Sequence, residues 1–226
     1  MRGLVLFGQA GTGKSSIAHD IARLFNKMHR LKRKINDDVS YSTSSFIFLW
    51  REQPVRETYH LFTTLARDLA DRYPSFKIAL GKVVKNNTAL RLGTHDYGTL
   101  FKSLILEPLK DLHIIGPILV VINALDESGD TTSRTGLHAF LAKNLIRLPS
   151  NFRVVITSRP EHAIASALVE AQSVRIKYMD DTELTAETHE DIFVFFQERH
   201  PSNEFRHYLE ALVTSKYTLT VLLTDT

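Results

Sequence analysis

Gly8-Gln9-Ala10-Gly11-Thr12-Gly13-Lys14-Ser15 constrains this chain more than any other stretch of its 226 residues. The spacing G-x-x-x-x-G-K-[ST] lets consecutive backbone N–H groups turn inward, where they suit phosphate oxygens. The flanks agree with that reading. Leu4-Val5-Leu6-Phe7 has the composition of a buried strand entering the loop, and Ile17, Ile21 and Leu24 recur at i, i+4 and i+7 as one apolar helix face. A helix beginning there adds the positive end of its dipole to the loop amides. The expected phosphate-binding set is Gly8, Gln9, Ala10, Gly11, Thr12, Gly13, Lys14, Ser15 and Ser16. Within it Lys14 reaches the β- and γ-phosphates and the Ser15 hydroxyl ligates Mg²⁺.

Further along, Ser45 to Trp50 reads as a second buried strand, and Pro54 opens a long helix with Tyr59, Phe62, Leu65, Ala66 and Leu69 on one face. Tyr73-Pro74 breaks it. Helices are expected from Phe76 to Val84 and from Tyr97 to Leu106, the latter ending near Pro108. Pro117 to Ile122 is a continuous apolar, β-branched run, the pattern of a strand covered on both faces of a parallel sheet. A helix from Leu137 to Ile146, a strand from Phe152 to Thr157, a weaker strand from Val174 to Lys177, and helices at Ile192–Gln197 and Phe205–Val213 complete the pattern. Such alternation implies an α/β fold, a mostly parallel sheet flanked by helices on both faces in three layers. In these sheets ligands sit beyond the carboxyl ends of the strands. Gly8–Ser15, Asn123–Glu127 and Ser158-Arg159 each follow an expected strand, so three polar clusters should converge on one edge.

A phosphate loop of this kind works with a carboxylate at the end of a second strand, since Mg²⁺ favours one or two carboxylates beside substrate phosphates. After Val121-Ile122 the first polar residue is Asn123, an amide without charge. Weaker Mg²⁺ binding and slow or absent hydrolysis follow, while nucleotide binding through the loop survives. Asp126 and Glu127 are the candidates to position an attacking water, and Ser15, Asn123 and Asp126 are the candidate metal ligands. Arg159 is placed to contact a γ-phosphate, a charge suited to phosphoryl-transfer transition states, and Arg51 is a weaker candidate for the same edge. Asn123-Ala124-Leu125-Asp126 lacks the Lys of a guanine-reading N-K-x-D segment. Asp126-Glu127-Ser128-Gly129 imitates a D-x-x-G switch, but shares Asp126 with the other match. Adenine is therefore favoured over guanine, with ATP and Mg²⁺ the expected cofactors.

Composition removes other classes. The chain has no Cys, which excludes disulfides and thiolate zinc sites and fits a reducing cytoplasmic compartment. A formal charge of +3 is too small to argue for nucleic acid, and Arg30-Leu31-Lys32-Arg33-Lys34 reads as a solvated loop. No apolar stretch approaches the roughly 20 residues that span a bilayer. No G-x-S-x-G elbow supports a serine nucleophile.

The order of these segments resembles a NACHT domain of the fungal nephrocystin-3-like N-terminal type, found in large signalling NTPases. Gly8–Ser15 is similar to that family's G-x-A-G-T-G-K-S loop, and Ser45–Phe48 through Arg51 to its S-F-F-F-x-R strand. Phe62–Ala70 resembles T-I-A-x-x-L-A, Leu104–Leu109 resembles L-I-x-x-P-L, and Ile122–Glu127 resembles I-D-A-L-D-E. Thr157–Glu161 is similar to T-S-R-P-E, and Asp191-Ile192 to the D-I pair opening a later helix. The resemblance implies a P-loop ATPase switch of the STAND class, associated in fungi with non-self recognition and cell death. In it nucleotide state controls self-association or contact with other signalling proteins. It assigns phosphate and Mg²⁺ binding to Lys14 and Ser15, the acidic hydrolysis role to Glu127 or Asp126, and phosphate sensing to Arg159. Asn123 departs from the family's Mg²⁺-linked Asp.

Residues 1–178 are thus expected to form the NTPase core and 179–226 the start of a C-terminal helical subdomain, in a chain too short for an effector, a lid or repeats. The alternatives are a degenerate scaffold acting through protein contacts, a GTP-binding protein, or a small-molecule P-loop kinase, the last disfavoured because no acceptor motif is visible.

Overall fold

The computed structural model describes residues 3–34, 42–47, 58–114, 117–129, 131–169, 171 and 174–179. The chain divides into two units, Met1–Tyr178 and Met179–Thr226, and nearly all that is described belongs to the first. The expectations for Phe48 to Trp50, Arg51, Pro54, Asp191-Ile192 and the helices at 192–197 and 205–213 lie outside the described residues.

Five strands form one sheet: β1 (Gly3–Gly8), β2 (Ser42–Ile47), β3 (Ile118–Asn123), β4 (Phe152–Ser158) and β5 (Val174–Met179). Their order is β2-β3-β4-β1-β5, with β2–β3, β3–β4 and β4–β1 paired in parallel. The register sets Val5 beside Ile156, Val120 beside Val154 and Phe46 beside Ile122. Every residue of β1 and β3 is buried, and in β4 only Arg153 departs from full burial. That is why these strands read as unbroken apolar runs rather than alternating ones.

The helices are α1 (Lys14–Lys34), α2 (His60–Arg72), α3 (Pro74–Asn86), α4 (Thr88–Arg91), α5 (Tyr97–Phe101), α6 (Glu107–Leu109), α7 (Thr131–Asn144) and α8 (His162–Val169). On one sheet face Val5, Phe7, Val120, Ile122, Val154 and Ile156 share a core with Leu61, Leu65 and Leu69 of α2, Leu137 of α7 and Leu168 of α8. The alternate residues Leu4, Leu6, Leu119, Val121 and Val155 are buried as well. They lie on the face covered by α1, which runs against β1 to β4 with Ile17, Ala18, Ile21 and Phe25 buried. The result is the three-layer α/β sandwich of a P-loop NTPase fold. An aromatic cluster ties the first layer together: Phe101 and Phe140 meet edge-on with ring centroids 5.5 Å apart, and Phe62 sits 5.7 Å and 5.6 Å from them.

Three sequence expectations need correcting. The basic run Arg30–Lys34 is not a loop, because α1 continues to Lys34. From Asn26 to Lys34 there is no Gly or Pro to stop a helix, and Leu, Met, Lys and Arg are good helix formers. The second strand is Ser42–Ile47, earlier than the aromatic run suggested. Helix α2 begins at His60 after a turn at Thr58-Tyr59. Finally, the helix expected from Tyr97 to Leu106 is α-helical only to Phe101 and widens into a π turn over Lys102–Leu106. Pro108 accounts for the widening. It has no N–H to give the Leu104 carbonyl and its ring would strike that carbonyl, so the preceding turn opens and the Glu107 N–H bonds Lys102 O instead.

Candidate functional site

The loop after β1 is built by its glycines. Gly11 and Gly13 have φ of 89° and 80°, the left-handed region that a Cβ disfavours. No atom lies within 4 Å of an ideal Cβ at either position, so the requirement is on the backbone and not on space. The Thr12 N–H and hydroxyl both donate to Gln9 O, at 3.4 Å and 2.9 Å, and close the turn. Lys14 then opens α1, and its ammonium donates to Gln9 O at 2.5 Å and to Thr12 Oγ1 at 3.2 Å. The cation is thereby held over the loop's own acceptors. The opening amides of a helix lack intrahelical partners, so this end of α1 suits an anion.

The second cluster starts at Asn123, the last residue of β3, which is 8% exposed. Ala124 follows with φ 58°, the one non-glycine residue in the left-handed region among the described residues. This reversal throws the chain into a short 3₁₀ turn, Leu125–Glu127. Thr157 of β4 secures it from the side. Its hydroxyl donates to Asn123 Oδ1 at 2.5 Å and accepts from the Ala124 N–H at 3.0 Å. Leu125 O accepts from Ser128 Oγ at 2.7 Å and lies 3.4 Å from Nε2 of the buried His138 on α7.

Asp126 joins the second cluster to the third. Its Oδ1 accepts from the Arg159 backbone N–H at 3.0 Å, and its Oδ2 lies 3.3 Å from Arg159 Nε. The Asp126 side chain is 7% exposed and that of Arg159 is 52% exposed, so a nearly dry carboxylate is matched by a cation reaching into solvent.

All three clusters open onto one cavity of about 370 Å³. The first loop contributes Ala10, Gly11, Gly13, Lys14, Ser15 and Ser16 to its wall, the acidic turn Ala124, Asp126 and Glu127, β4 Thr157, and the segment just after β4 Arg159. Four expected site residues stand behind the wall. Gly8 belongs to β1, Gln9 and Thr12 hold the Lys14 ammonium, and Asn123 is bonded beneath Thr157. Ala124 and Thr157 were not singled out by sequence reasoning. The usable signal was Thr157 itself, a hydroxyl directly after the buried apolar run Val154–Ile156 that had to find a partner. No group of three or more His, Asp or Glu side chains able to hold a metal occurs among the described residues.

A glycine loop set between a buried parallel strand and a long helix, with a Lys at the helix start, defines a P-loop nucleotide-binding fold. Its lineage can also be stated. The chain belongs to the family described as Nephrocystin 3, N-terminal, whose profile matches residues 2–159 and so takes in both the phosphate loop and Arg159. Among solved structures, the Aeropyrum pernix Orc1 protein in complex with DNA is similar at a TM-score of 0.45 and 14% identity, over 87% of this chain and 44% of that one. This chain thus spans less than half the length of that protein. No curated protein matches it.

Proposed function

We propose that residues 1–178 are the ATP-binding core of a NACHT-type signalling switch of the STAND class, in which hydrolysis is slow or absent. One observation carries the reading: Lys14 and Ser15 share a cavity wall with Asp126, Glu127 and Arg159. Membership of the nephrocystin-type family supports it. In this reading the loop amides and Lys14 take the β- and γ-phosphates, exchanging the ammonium's contacts with Gln9 and Thr12 for phosphate oxygens. The Ser15 hydroxyl is the cation ligand, Arg159 meets the γ-phosphate, and Glu127 orients water. Bound Mg²⁺ would neutralise charge on the phosphate tail. Asn123 contributes only an amide whose oxygen already accepts from Thr157, and for that reason binding outlasts turnover. Adenine is favoured over guanine because no N-K-x-D segment follows a strand.

Residues 179–226 are the proposed start of a helical subdomain, and self-association or other signalling proteins are the proposed partners. A cytoplasmic location fits the absence of Cys. No helix among the described residues is long and apolar enough to cross a membrane. The test is titration of a fluorescent ATP analogue against the wild type and Lys14→Ala. Loss of the ammonium's charge-assisted bonds should weaken binding roughly ten- to hundred-fold. Equal affinities would refute the loop as the site. In parallel, Asn123→Asp should raise Mg²⁺-dependent turnover, and an unchanged rate would refute the explanation built on Asn123.

A further inference from the structure

We infer that Asp126 is a positioning residue that holds Arg159 at the cavity for recognition of a terminal phosphate, and that it is neither a cation ligand nor the acid of hydrolysis. The inference rests on the nucleotide reading above and assigns the acidic turn a division of labour within it. Both oxygens of one carboxylate are spent on one residue, Oδ1 on the Arg159 backbone N–H and Oδ2 on Nε. The backbone bond fixes where the side chain starts, and the Nε contact fixes which way it leaves. A guanidinium has five N–H donors. The ion pair lies on the Nε side and leaves the four donors on the two Nη atoms, arranged as the fork that matches phosphate geometry. Arg159 lines the cavity with more than half its side chain exposed, so in water it would sample many rotamers without this hold.

Burial argues the same way. Asp126 is 7% exposed, and a carboxylate so withdrawn from water needs a matched cation. Arg159 supplies that charge. A divalent cation on the same oxygens would have to displace it and stand beside it as a like charge. Glu127, the next residue, lines the same cavity.

The functional consequence is discrimination between nucleoside tri- and diphosphates, since the terminal phosphate is the group Arg159 is held to meet. The experiment measures affinities for ATP and ADP, each with Mg²⁺ and with EDTA, for the wild type, Asp126→Asn, Arg159→Ala and the double variant. Asp126→Asn keeps an acceptor for the backbone N–H, so it should melt as a folded protein. Charge-assisted bonds of this kind carry roughly ten-fold or more in binding, so the ATP preference should fall by about that factor in Asp126→Asn. The fall should be as large in EDTA as in Mg²⁺, and the double variant should lose no more than Arg159→Ala alone. Nitrogen relaxation at Arg159 Nε, followed by NMR without nucleotide, should show an ordered side chain in the wild type and a mobile one in Asp126→Asn. Arg159→Lys, which keeps the charge but not the two-point hold, should also lose the preference and serves if Asp126→Asn does not fold.

An Asp126→Asn protein that keeps its ATP preference in EDTA and loses only the Mg²⁺-dependent part would make Asp126 a cation ligand and overturn the inference. Losses that multiply in the double variant would overturn it too. A wild type that binds nucleotide no better than Lys14→Ala would instead overturn the nucleotide reading, and the relaxation measurement would still decide whether Asp126 holds Arg159.

Discussion

Thr157→Val should be more harmful than its near-identical shape suggests. The Thr157 side chain is 1% exposed, and its hydroxyl is the shared partner of Asn123 Oδ1 and the Ala124 N–H. Valine fills the space and removes both bonds, leaving two polar groups facing a methyl. A buried group stranded this way costs about 1–3 kcal/mol. Asn123 is buried and belongs in the middle of that range, whereas Ala124 is half-buried and its N–H belongs at the low end. The sum is about 2–4 kcal/mol. For a chain of this size each kcal/mol moves the melting temperature by roughly 2–4 °C, so a drop of roughly 4–16 °C is expected. Thr157→Ser is the control, because it keeps the hydroxyl and loses one methyl, worth about 1 kcal/mol. Urea denaturation of the three proteins, with slopes compared to exclude a changed unfolded state, separates the terms. If Thr157→Val unfolds within about 0.5 kcal/mol of Thr157→Ser, half the smallest stranding penalty, the two hydrogen bonds do not carry the turn and the reasoning fails.

Two further outcomes are expected. Gly13→Ala should destabilise the fold by roughly 1–2 kcal/mol, the strain of placing a Cβ in the left-handed region. A melting temperature equal to that of the wild type would show that the loop relaxes out of the φ of 80° seen at this position. Asp96 caps α5, its Oδ2 accepting from the Thr99 N–H at 2.7 Å, and Asp96→Ala should cost about 0.5–2 kcal/mol in thermal unfolding. The backbone hydrogen bond from Thr99, with its side-chain contribution second, holds the Asp96 carboxyl below its ordinary value of 3.8. A carboxyl lowered in the folded state contributes fully above that ordinary value and loses its contribution as pH falls through the lowered one. The stability gap between wild type and variant should therefore shrink on acidification, and a gap independent of pH would refute the charged cap.

The phosphate loop, β1, β3 and β4 were legible because each is a local signal, a glycine spacing or an apolar run of strand length. The three-layer architecture followed from their alternation with helical stretches. What stayed hidden depends on distant partners. The pairing of Asp126 with Arg159 spans 33 residues and that of Thr157 with Asn123 spans 34, and no periodicity encodes either. Ala124 carries no mark of a left-handed residue, and its N–H is held by Thr157, 33 residues away in sequence. Arg30–Lys34 misled because charge was read as solvation, although long basic side chains are at ease on a helix. α8 went unseen because its eight residues offer little more than two turns of pattern.

The position of β4 between β1 and β3 also governs when this fold can come into being. Gly3 pairs with Val154, so β1, once it leaves a ribosome, meets its β4 partner only after about 150 more residues have been made. Until then a fully apolar edge waits unmatched, and closing so long a stretch is the slow, entropy-laden part of assembly. The glycine turn after β1 thus waits on β4, and a nascent protein halted before β4 would carry the complete phosphate-loop sequence without the strand that pairs with β1.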